Sequence, residues 1–247
     1  EWLEMDIGGH AFSIFYESNF SAELYKWAGV NYKKAYWYGG LTGTVFQSTI
    51  EIFDGFSEKW GFSWGDFAFN TLGAAAVIGQ GLAWNEMRIH LKVSSHIVSY
   101  PDDLFDRAQN LYGLSRPEKV LKDYNGLTYW LSVNPTAFMK KDTKFPKWLN
   151  VAFGYGAEGL YGGFENRWCS DGDVLDIDDC PEEMIIDRSD IPRYRQYYLS
   201  FDVDLTRIPT NSRVVKILLS VFNIVKIPAP TIEFNRQNKV KFHFFYF

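Results

Sequence analysis

The sequence lacks most of the features that mark the common functional classes of proteins. It has only two cysteines and four histidines in 247 residues, and their spacing excludes a zinc-finger type of metal domain. It also lacks an excess of positive charge, because the formal net charge is −5, which argues against a nucleic-acid partner. A phosphate-binding loop, a dinucleotide fingerprint and an ordered Ser–His–Asp pattern are all missing.

Long apolar runs are also scarce. The uncharged segment 67–84 just reaches the length of a membrane-spanning helix, but Asn70, Thr71, Gln80 and several glycines interrupt its apolar character. We therefore interpret it as a buried helix of a protein core, with membrane contact as the alternative. Disorder and low-complexity classes are excluded, because 47% of the residues are apolar and only 22% are charged.

Aromatic side chains are abundant, at 18% of the residues. Rings with a polar group are typical of protein interfaces and membrane surfaces as well as of cores. The C-terminal segment 239–247 is the most aromatic part of the chain. We expect it to need cover from lipid or, preferably, from a partner subunit, because the helix over 212–224 is broad enough to cover only one of its two faces.

Apolar periodicity predicts an α+β protein. Helical patterns cover 11–27, 34–53 and 65–86, and the small residues Gly39, Gly40 and Gly43 allow a neighbouring helix to approach closely. Strand patterns dominate after residue 148. The predicted organisation is a helical unit over 1–100, connecting short helices over 101–147, and a strand-rich antiparallel unit over 148–247 that contains one long helix, an acidic disulfide loop and a C-terminal hairpin.

The acidic loop lies between residues 165 and 190, a segment with ten acidic residues and two arginines. It contains both cysteines, Cys169 and Cys180, and two cysteines that flank one short polar loop favour a disulfide bond formed in an oxidising compartment. A calcium loop is the first alternative, since carboxylates are ligands that calcium prefers. The candidate ligands are Asp171, Asp173, Asp176 and Asp178. A solvated acidic loop without a ligand is the second alternative.

Ionisable and amide residues lie at helical spacing within the apolar N-terminal segments. Asp6 and His10, Gln47 and Glu51, and Asp66 and Asn70 are each four residues apart, so each pair shares a helix face and is expected to interact. The cluster Asp6, His10, Glu51, Asp54, Asp66 and Asn70 has two interpretations. A polar network that fixes helix packing is the preferred one. The alternative is an acid–base or divalent-metal site formed by the histidine and three carboxylates.

The motif order also carries a resemblance. Asp-Ile-Gly-Gly-His at 6–10, Glu-Ile-Phe-Asp at 51–54 and Gly-Phe-Ser-Trp-Gly-Asp at 61–66, followed by Asn70 and Gly73, resembles the YfiM-like family of predicted periplasmic lipoproteins over residues 3–90. The same order is more distantly similar to VanZ-like membrane proteins. The resemblance implies packed helices in the bacterial envelope and no established reaction.

These observations together favour a Gram-negative cell-envelope protein that is associated with the outer membrane. We expect a structural or accessory subunit of a membrane protein assembly rather than an enzyme, with outer-membrane or periplasmic subunits as partners and with no cofactor apart from the calcium alternative. The first competing hypothesis is a membrane-associated hydrolase or metal-dependent enzyme that uses His10, Glu51, Asp54 and Asp66. The second is a lipid or small-ligand binding module.

Overall fold

The computed structural model describes residues 1–56, 63–139, 144–171, 177–237 and 239–247. It combines helices with a mainly antiparallel sheet, which confirms the α+β prediction. The chain forms two compact units, residues 6–89 and residues 1–5 together with 90–247. The helices are α1 (Met5–Trp27), α2 (Tyr32–Asp54), α3 (Trp64–Trp84), α4 (Asp102–Tyr112), α5 (Arg116–Lys122) and α6 (Arg213–Phe222). The strands are β1 (Ile89–Ser95), β2 (Leu127–Val133), β3 (Leu149–Glu158), β4 (Arg167–Cys169), β5 (Ile185–Asp187), β6 (Tyr194–Val203), β7 (Ala229–Asn235) and β8 (Lys239–Tyr246).

Glycines allow the long helices of the first unit to pack closely. A Cβ atom added to Gly39 of α2 would lie 2.5 Å from the carbonyl oxygen of Ser18 in α1. On the neighbouring side of α2, a Cβ at Gly40 would lie 2.4 Å from the Cδ1 atom of Ile78 in α3. Larger residues at these two positions would therefore separate the helices, as the small residues of this segment predict. None of the described helices is both long enough and apolar enough to cross a membrane.

The second unit is built on a six-stranded sheet with the order β1-β2-β3-β6-β7-β8. The pairings from β2 through β8 are all antiparallel. In a flat sheet β2 and β8 would lie about 19 Å apart, because neighbouring strands are about 4.8 Å apart. The hydroxyl oxygens of Thr128 in β2 and Tyr246 in β8 are nevertheless only 3.2 Å apart. The sheet is therefore strongly curved.

Two strands of this sheet, β1 and β2, were not predicted from the sequence. β2 lies within the segment 101–147, for which only short helices were expected. Helix α5 in that segment is confirmed, and it begins with the expected capping box between Ser115 and Glu118. β1 alternates apolar and polar residues with the period of a strand, but helices were expected for this part of the chain, and it is the polar set His90, Lys92 and Ser94 that is buried. Such a strand does not follow the usual pattern of apolar residues turned inward.

The inner face of the curved sheet combines a buried cluster of Trp130, Tyr198 and Tyr246 with polar groups that are organised around a buried ion pair. The Nζ atom of Lys92 lies 2.8 Å from a carboxylate oxygen of Asp202, and both side chains are fully buried. Lys92 also donates hydrogen bonds to the side-chain oxygen of Asn223, at 2.9 Å, and to the carbonyl oxygen of Val203, at 2.8 Å. Asp202 accepts further bonds from the Ser132 hydroxyl and from a backbone N–H. Every donor of this ammonium group therefore has a partner.

The outer face of the same sheet is apolar and exposed to solvent. The alternation along β6 is typical: Gln196, Tyr198, Ser200 and Asp202 are buried, while the residues between them point outward. Over the described strands, the exposed outward side chains are Leu131, Phe153, Tyr197, Leu199, Phe201, Phe234, Val240, Phe242 and Phe244. The sheet is thus inverted relative to the usual pattern, in which the apolar face is buried and the polar face is solvated.

The C-terminal hairpin is confirmed, but one residue lies on a different face from the one expected. Strict alternation along β8 would place Tyr246 with Phe242 and Phe244. A bulge opposite Ala229–Thr231 shifts the register, so that Tyr246 is buried on the inner face with His243. There its hydroxyl donates a hydrogen bond of 2.7 Å to the Tyr198 hydroxyl.

Helix α6 does not cover the sheet as expected. Ser212 caps the helix, because its hydroxyl accepts the N–H of Val215. No residue of the helix is buried, however, and its apolar side is exposed. The exposed apolar residues of α6 are Val214, Val215, Ile217, Leu218, Val221 and Phe222.

The predicted disulfide between Cys169 and Cys180 is confirmed. It joins β4 to a short 3-10 helix at 177–179, next to a two-stranded sheet formed by β4 and β5. The bond closes the acidic loop. In the chain-entropy description it stabilises the folded state by about 3 kcal/mol, because it lowers the entropy of the unfolded chain.

The ion pair on the inner face should dominate the stability of the sheet. We expect Lys92→Ala to lower the free energy of unfolding by about 3–5 kcal/mol, because it removes the only cation that forms a direct ion pair with the buried Asp202 carboxylate among the described residues. Urea denaturation followed by circular dichroism measures the change. Lys216→Ala, at an exposed position of α6, is the control, with an expected change below about 0.5 kcal/mol. A similar, small loss in both variants would contradict the assignment.

Asp204 should make the free energy of unfolding depend on pH in the acidic range. Burial by itself raises the pKa of Asp204, but interactions with His90, Thr206 and Arg207 outweigh it and lower the pKa to about 2. The carboxylate therefore contributes stability above pH 3.8, its ordinary value, and the contribution is lost as the pH falls through 2. We expect Asp204→Asn to cost about 2 kcal/mol at pH 7 and to weaken the loss of stability between pH 4 and pH 2. A difference between variant and wild type that stayed constant over this pH range would refute the assignment.

Candidate functional site

Three helices of the first unit bring one histidine and two carboxylates together. His10 lies in the second turn of α1, Glu51 lies in the last turn of α2, and Asp66 lies in the first turn of α3. Each residue offers one ligand atom, and these three atoms lie within 4.8 Å of one another. The structure thus brings together three residues of the predicted cluster, although they are up to 56 positions apart in the chain.

A short chain of hydrogen bonds holds the two carboxylates at this place. Glu51 is 2% exposed, and one of its carboxylate oxygens accepts the backbone N–H of Ser63 at 2.6 Å. Ser63 is the N-cap of α3, and its hydroxyl accepts the N–H of Asp66 at 3.2 Å. The same serine thus joins the end of α2 to the start of α3.

The remaining polar atoms of the cluster are poorly satisfied. The Nε2 atom of His10 lies 3.8 Å from a carboxylate oxygen of Asp66, which is too long for a hydrogen bond. Asn70 is 3% exposed, and neither atom of its amide has a hydrogen-bond partner among the described residues. The Nδ1 atom of His10 and the second oxygen of Asp66 are also buried without one. Native proteins contain few such groups, and those that occur require an explanation.

Several of the interactions expected from helical spacing are not formed. Asp66 and Asn70 share a helix face but make no hydrogen bond, since neither amide atom of Asn70 is bonded to any residue that the structure describes. Gln47 does not pair with Glu51; instead, its amide donates to a carboxylate oxygen of Glu17 in α1 at 2.8 Å. Spacing along one helix places two side chains on one side, but the neighbouring helix offers each of them competing partners.

Asp6 and Asp54 complete the predicted cluster. Burial raises the pKa of Asp6, and the negative charge of Asp66 raises it further. The Asp66 charge is therefore felt at Asp6, one turn before His10 on α1. The backbone of Asp54 lies at the end of α2, and its side chain lies outside the described part of the structure.

This arrangement can perform two kinds of chemistry. A histidine and two carboxylates form a donor set for divalent transition metals. The same groups can exchange a proton, since His10 and Asp66 lie close together. A polar network that only fixes helix packing would be expected to satisfy its members, whereas this cluster leaves an amide and two further atoms without partners.

The calcium loop is described only in part. Asp171 and Asp178 belong to the described residues, and Asp173 and Asp176 lie outside them. Calcium binding at these four aspartates therefore stays a prediction.

Sequence reasoning missed the buried polar groups of the sheet. Lys92 and Asp202 are separated by more than a hundred residues, and no local pattern links them. The sequence contained one signal for Lys92: it alternates with the apolar residues Leu91 and Val93, as residues on opposite faces of a strand do. Because the Lys92–Asp202 pair is fully hydrogen-bonded, it is a structural element and offers no position for a ligand.

Comparison with known proteins supports the resemblance of the N-terminal part. Residues 2–79 match the family described as predicted periplasmic lipoprotein (DUF2279), which confirms the prediction for this segment. The match contains His10, Glu51, Asp66 and Asn70 and covers less than half of the chain. It gives no support to the VanZ-like similarity. The family description supports a location in the cell envelope. No curated protein and no solved structure matches the chain.

The unsatisfied amide of Asn70 leads to a stability prediction. We expect Asn70→Leu to raise the free energy of unfolding by about 1–2 kcal/mol in the presence of a chelator, because an apolar side chain of similar size removes an unpaired buried polar group. Urea denaturation measures the change in the free energy of unfolding.

Gln80→Leu is the matched control on the same helix. Gln80 is 7% exposed, but its amide oxygen accepts the N–H groups of Arg88 and Ile89, and its amide nitrogen donates to the Ile89 carbonyl. We expect this variant to be destabilised. Destabilisation of both variants by the same amount would show that Asn70 has partners.

Proposed function

We propose that the protein is an outer-membrane-associated structural protein of the Gram-negative cell envelope, whose outer sheet face lies against lipid acyl chains. The observation that carries this proposal is the unusual polarity of the sheet: buried charged and amide side chains share the inner face with aromatic ones, while the outer face is apolar and exposed. In water this arrangement leaves a large apolar surface uncovered. Against acyl chains it satisfies both faces.

The register of the strands arranges the outer face in rows. One row crosses five strands through directly paired residues and contains no polar side chain: Leu131, Phe153, Leu199, Ile232 and Phe242. Continuous apolar rows of this kind are larger than the scattered apolar residues that soluble surfaces commonly show.

Polarity along the strands changes in the order expected near a lipid surface. The next row contains three tyrosines, Tyr129, Tyr155 and Tyr197. Two residues beyond Tyr197, Arg195 forms a 2.7 Å ion pair with Glu4. The face therefore passes from charged through tyrosine to fully apolar residues. Tyrosine and tryptophan are enriched where a membrane meets water, because each ring is apolar while its polar group is hydrated.

Helix α6 supports lipid as the occupant rather than a second protein. Its exposed apolar side is opposite a polar stripe that contains Arg213, Lys216 and Ser220. An amphipathic helix with basic residues on its polar side is typical of helices that lie in the membrane interface. A partner subunit that covers the outer face, which the sequence analysis preferred, is the competing outcome of the experiment.

An introduced cysteine can report the environment of the outer face. Both native cysteines are bonded to each other, so Phe242→Cys supplies a single reactive thiol for an environment-sensitive fluorophore. On addition of phosphatidylethanolamine–phosphatidylglycerol vesicles, we expect a blue shift and increased intensity. Leu121→Cys is the control, since this residue is 75% exposed but lies on α5, away from the outer face, and its label should stay in water.

Substitution of the row should also weaken vesicle binding. We expect the double variant Phe153→Ser, Phe242→Ser to float with vesicles at least about tenfold less than wild type, because each buried phenylalanine contributes about 1.5–3 kcal/mol. The control variant Leu114→Ser, Leu121→Ser removes two leucines that are more exposed than Phe153 and Phe242 but lie outside the sheet. It should bind vesicles as wild type does. A chain that stays monomeric without detergent and ignores vesicles would overturn the proposal. A stable dimer or complex that buries residue 242 would assign the face to protein.

A further inference from the structure

We propose that His10, Glu51 and Asp66 bind a single divalent transition-metal ion, with the buried amide of Asn70 as an additional oxygen donor. The proposed function does not depend on this site, because the outer sheet face belongs to the other unit of the chain. The probe ion for this site is Zn²⁺.

The donor atoms have the chemistry and the proximity that such an ion requires. Zinc accepts imidazole nitrogen and carboxylate oxygen at about 2.0–2.2 Å, and catalytic zinc sites often use three protein ligands. Two donors of a tetrahedral zinc are about 3.4 Å apart at these bond lengths. The three donor atoms are within 4.8 Å of one another, and His10 Nε2 lies 3.8 Å from Asp66 Oδ2. Small side-chain rotations therefore close the site.

Asn70 is a second and independent observation that points to a ligand. Its side chain is 97% buried and its amide has no partner among the described residues. It lies on α3 between two positions that face α1: Asp66, one turn before it, is next to His10, and Gly73, three residues after it, approaches Ala11 and Ile14. The Asn70 side chain thus occupies the same helix face as Asp66 and is directed into the cluster.

A bound cation also accounts for the local charge. Two carboxylates, those of Glu51 and Asp66, lie beside the imidazole of His10. A divalent ion neutralises Glu51 and Asp66. The hydrogen bonds through Ser63 hold these two carboxylates in place before the ion arrives, which lowers the ordering cost of binding.

The test is a zinc titration of the full chain in detergent, without a histidine tag, after removal of metal with a chelator. A chromophoric chelator competes for zinc, and about 1 mM Ca²⁺ is added to compete with zinc for the carboxylates of the acidic loop at 165–190. We expect one zinc ion per chain with a dissociation constant of about 1 µM or tighter. His10→Gln, Glu51→Gln and Asp66→Asn should each weaken binding at least about tenfold, whereas Asp106→Asn, an exposed carboxylate of α4, should not.

Two further measurements keep the proposal testable if a variant folds poorly. Zinc should raise the melting temperature of wild type but not that of Asp66→Asn, and circular dichroism shows whether each variant is folded. X-ray absorption of the wild-type complex should show one imidazole and otherwise oxygen ligands. Absence of stoichiometric zinc, unchanged binding in the folded cluster variants, or a ligand shell with two or more imidazoles would overturn the assignment.

Discussion

The strand unit depends on the ion pair between Lys92 and Asp202. It joins the first strand of the sheet to the fourth, and through Asn223 it reaches the residue that ends α6. A buried charge pair is tolerated only when its remaining donors and acceptors are also paired, and this pair meets that condition. Because Lys92 must reach across the inner face to β6, the ion pair is compatible only with a curved sheet. The aromatic contact between Tyr198 and Tyr246 extends the same interior to β8.

The polar interior has a direct consequence for the exterior. Since side chains alternate along a strand, a face that receives lysine, aspartate, serine and glutamine leaves the opposite face to leucine and phenylalanine. The apolar rows of the outer face are therefore the counterpart of the ion pair. A protein with this division of side chains is suited to a surrounding that is itself apolar, which agrees with an envelope location and with the lipid contact proposed for it.

The helical unit follows a different principle. Small residues at Gly39, Gly40 and Gly73 bring the backbones of α1, α2 and α3 close together, and at one end of this packing three ionisable residues meet. Close packing normally removes unpaired polar atoms, but here the Asn70 amide, the Nδ1 atom of His10 and one oxygen of Asp66 have no hydrogen-bond partner within the described part of the chain. An incompletely satisfied cluster inside a tightly packed unit is better explained by a missing ligand than by a structural network.

The sequence alone determined the features that arise within a few residues of one another. Helical periodicity, the caps at Ser63 and Ser115, the disulfide across one short loop and the C-terminal hairpin were all predictable, because each depends on local spacing. The sequence also indicated that His10, Glu51 and Asp66 belong to one polar cluster, from helical spacing and a family resemblance over the same segment, and these three residues lie close together. Tertiary structure decided the rest: the strands β1 and β2, the partner of Lys92, the face of Tyr246 and the missing bond between Asp66 and Asn70. These features depend on which distant segments meet and on a one-residue shift in register. A hydrogen-bonding group in the sequence carries no information about which of several distant partners it will contact in the folded protein.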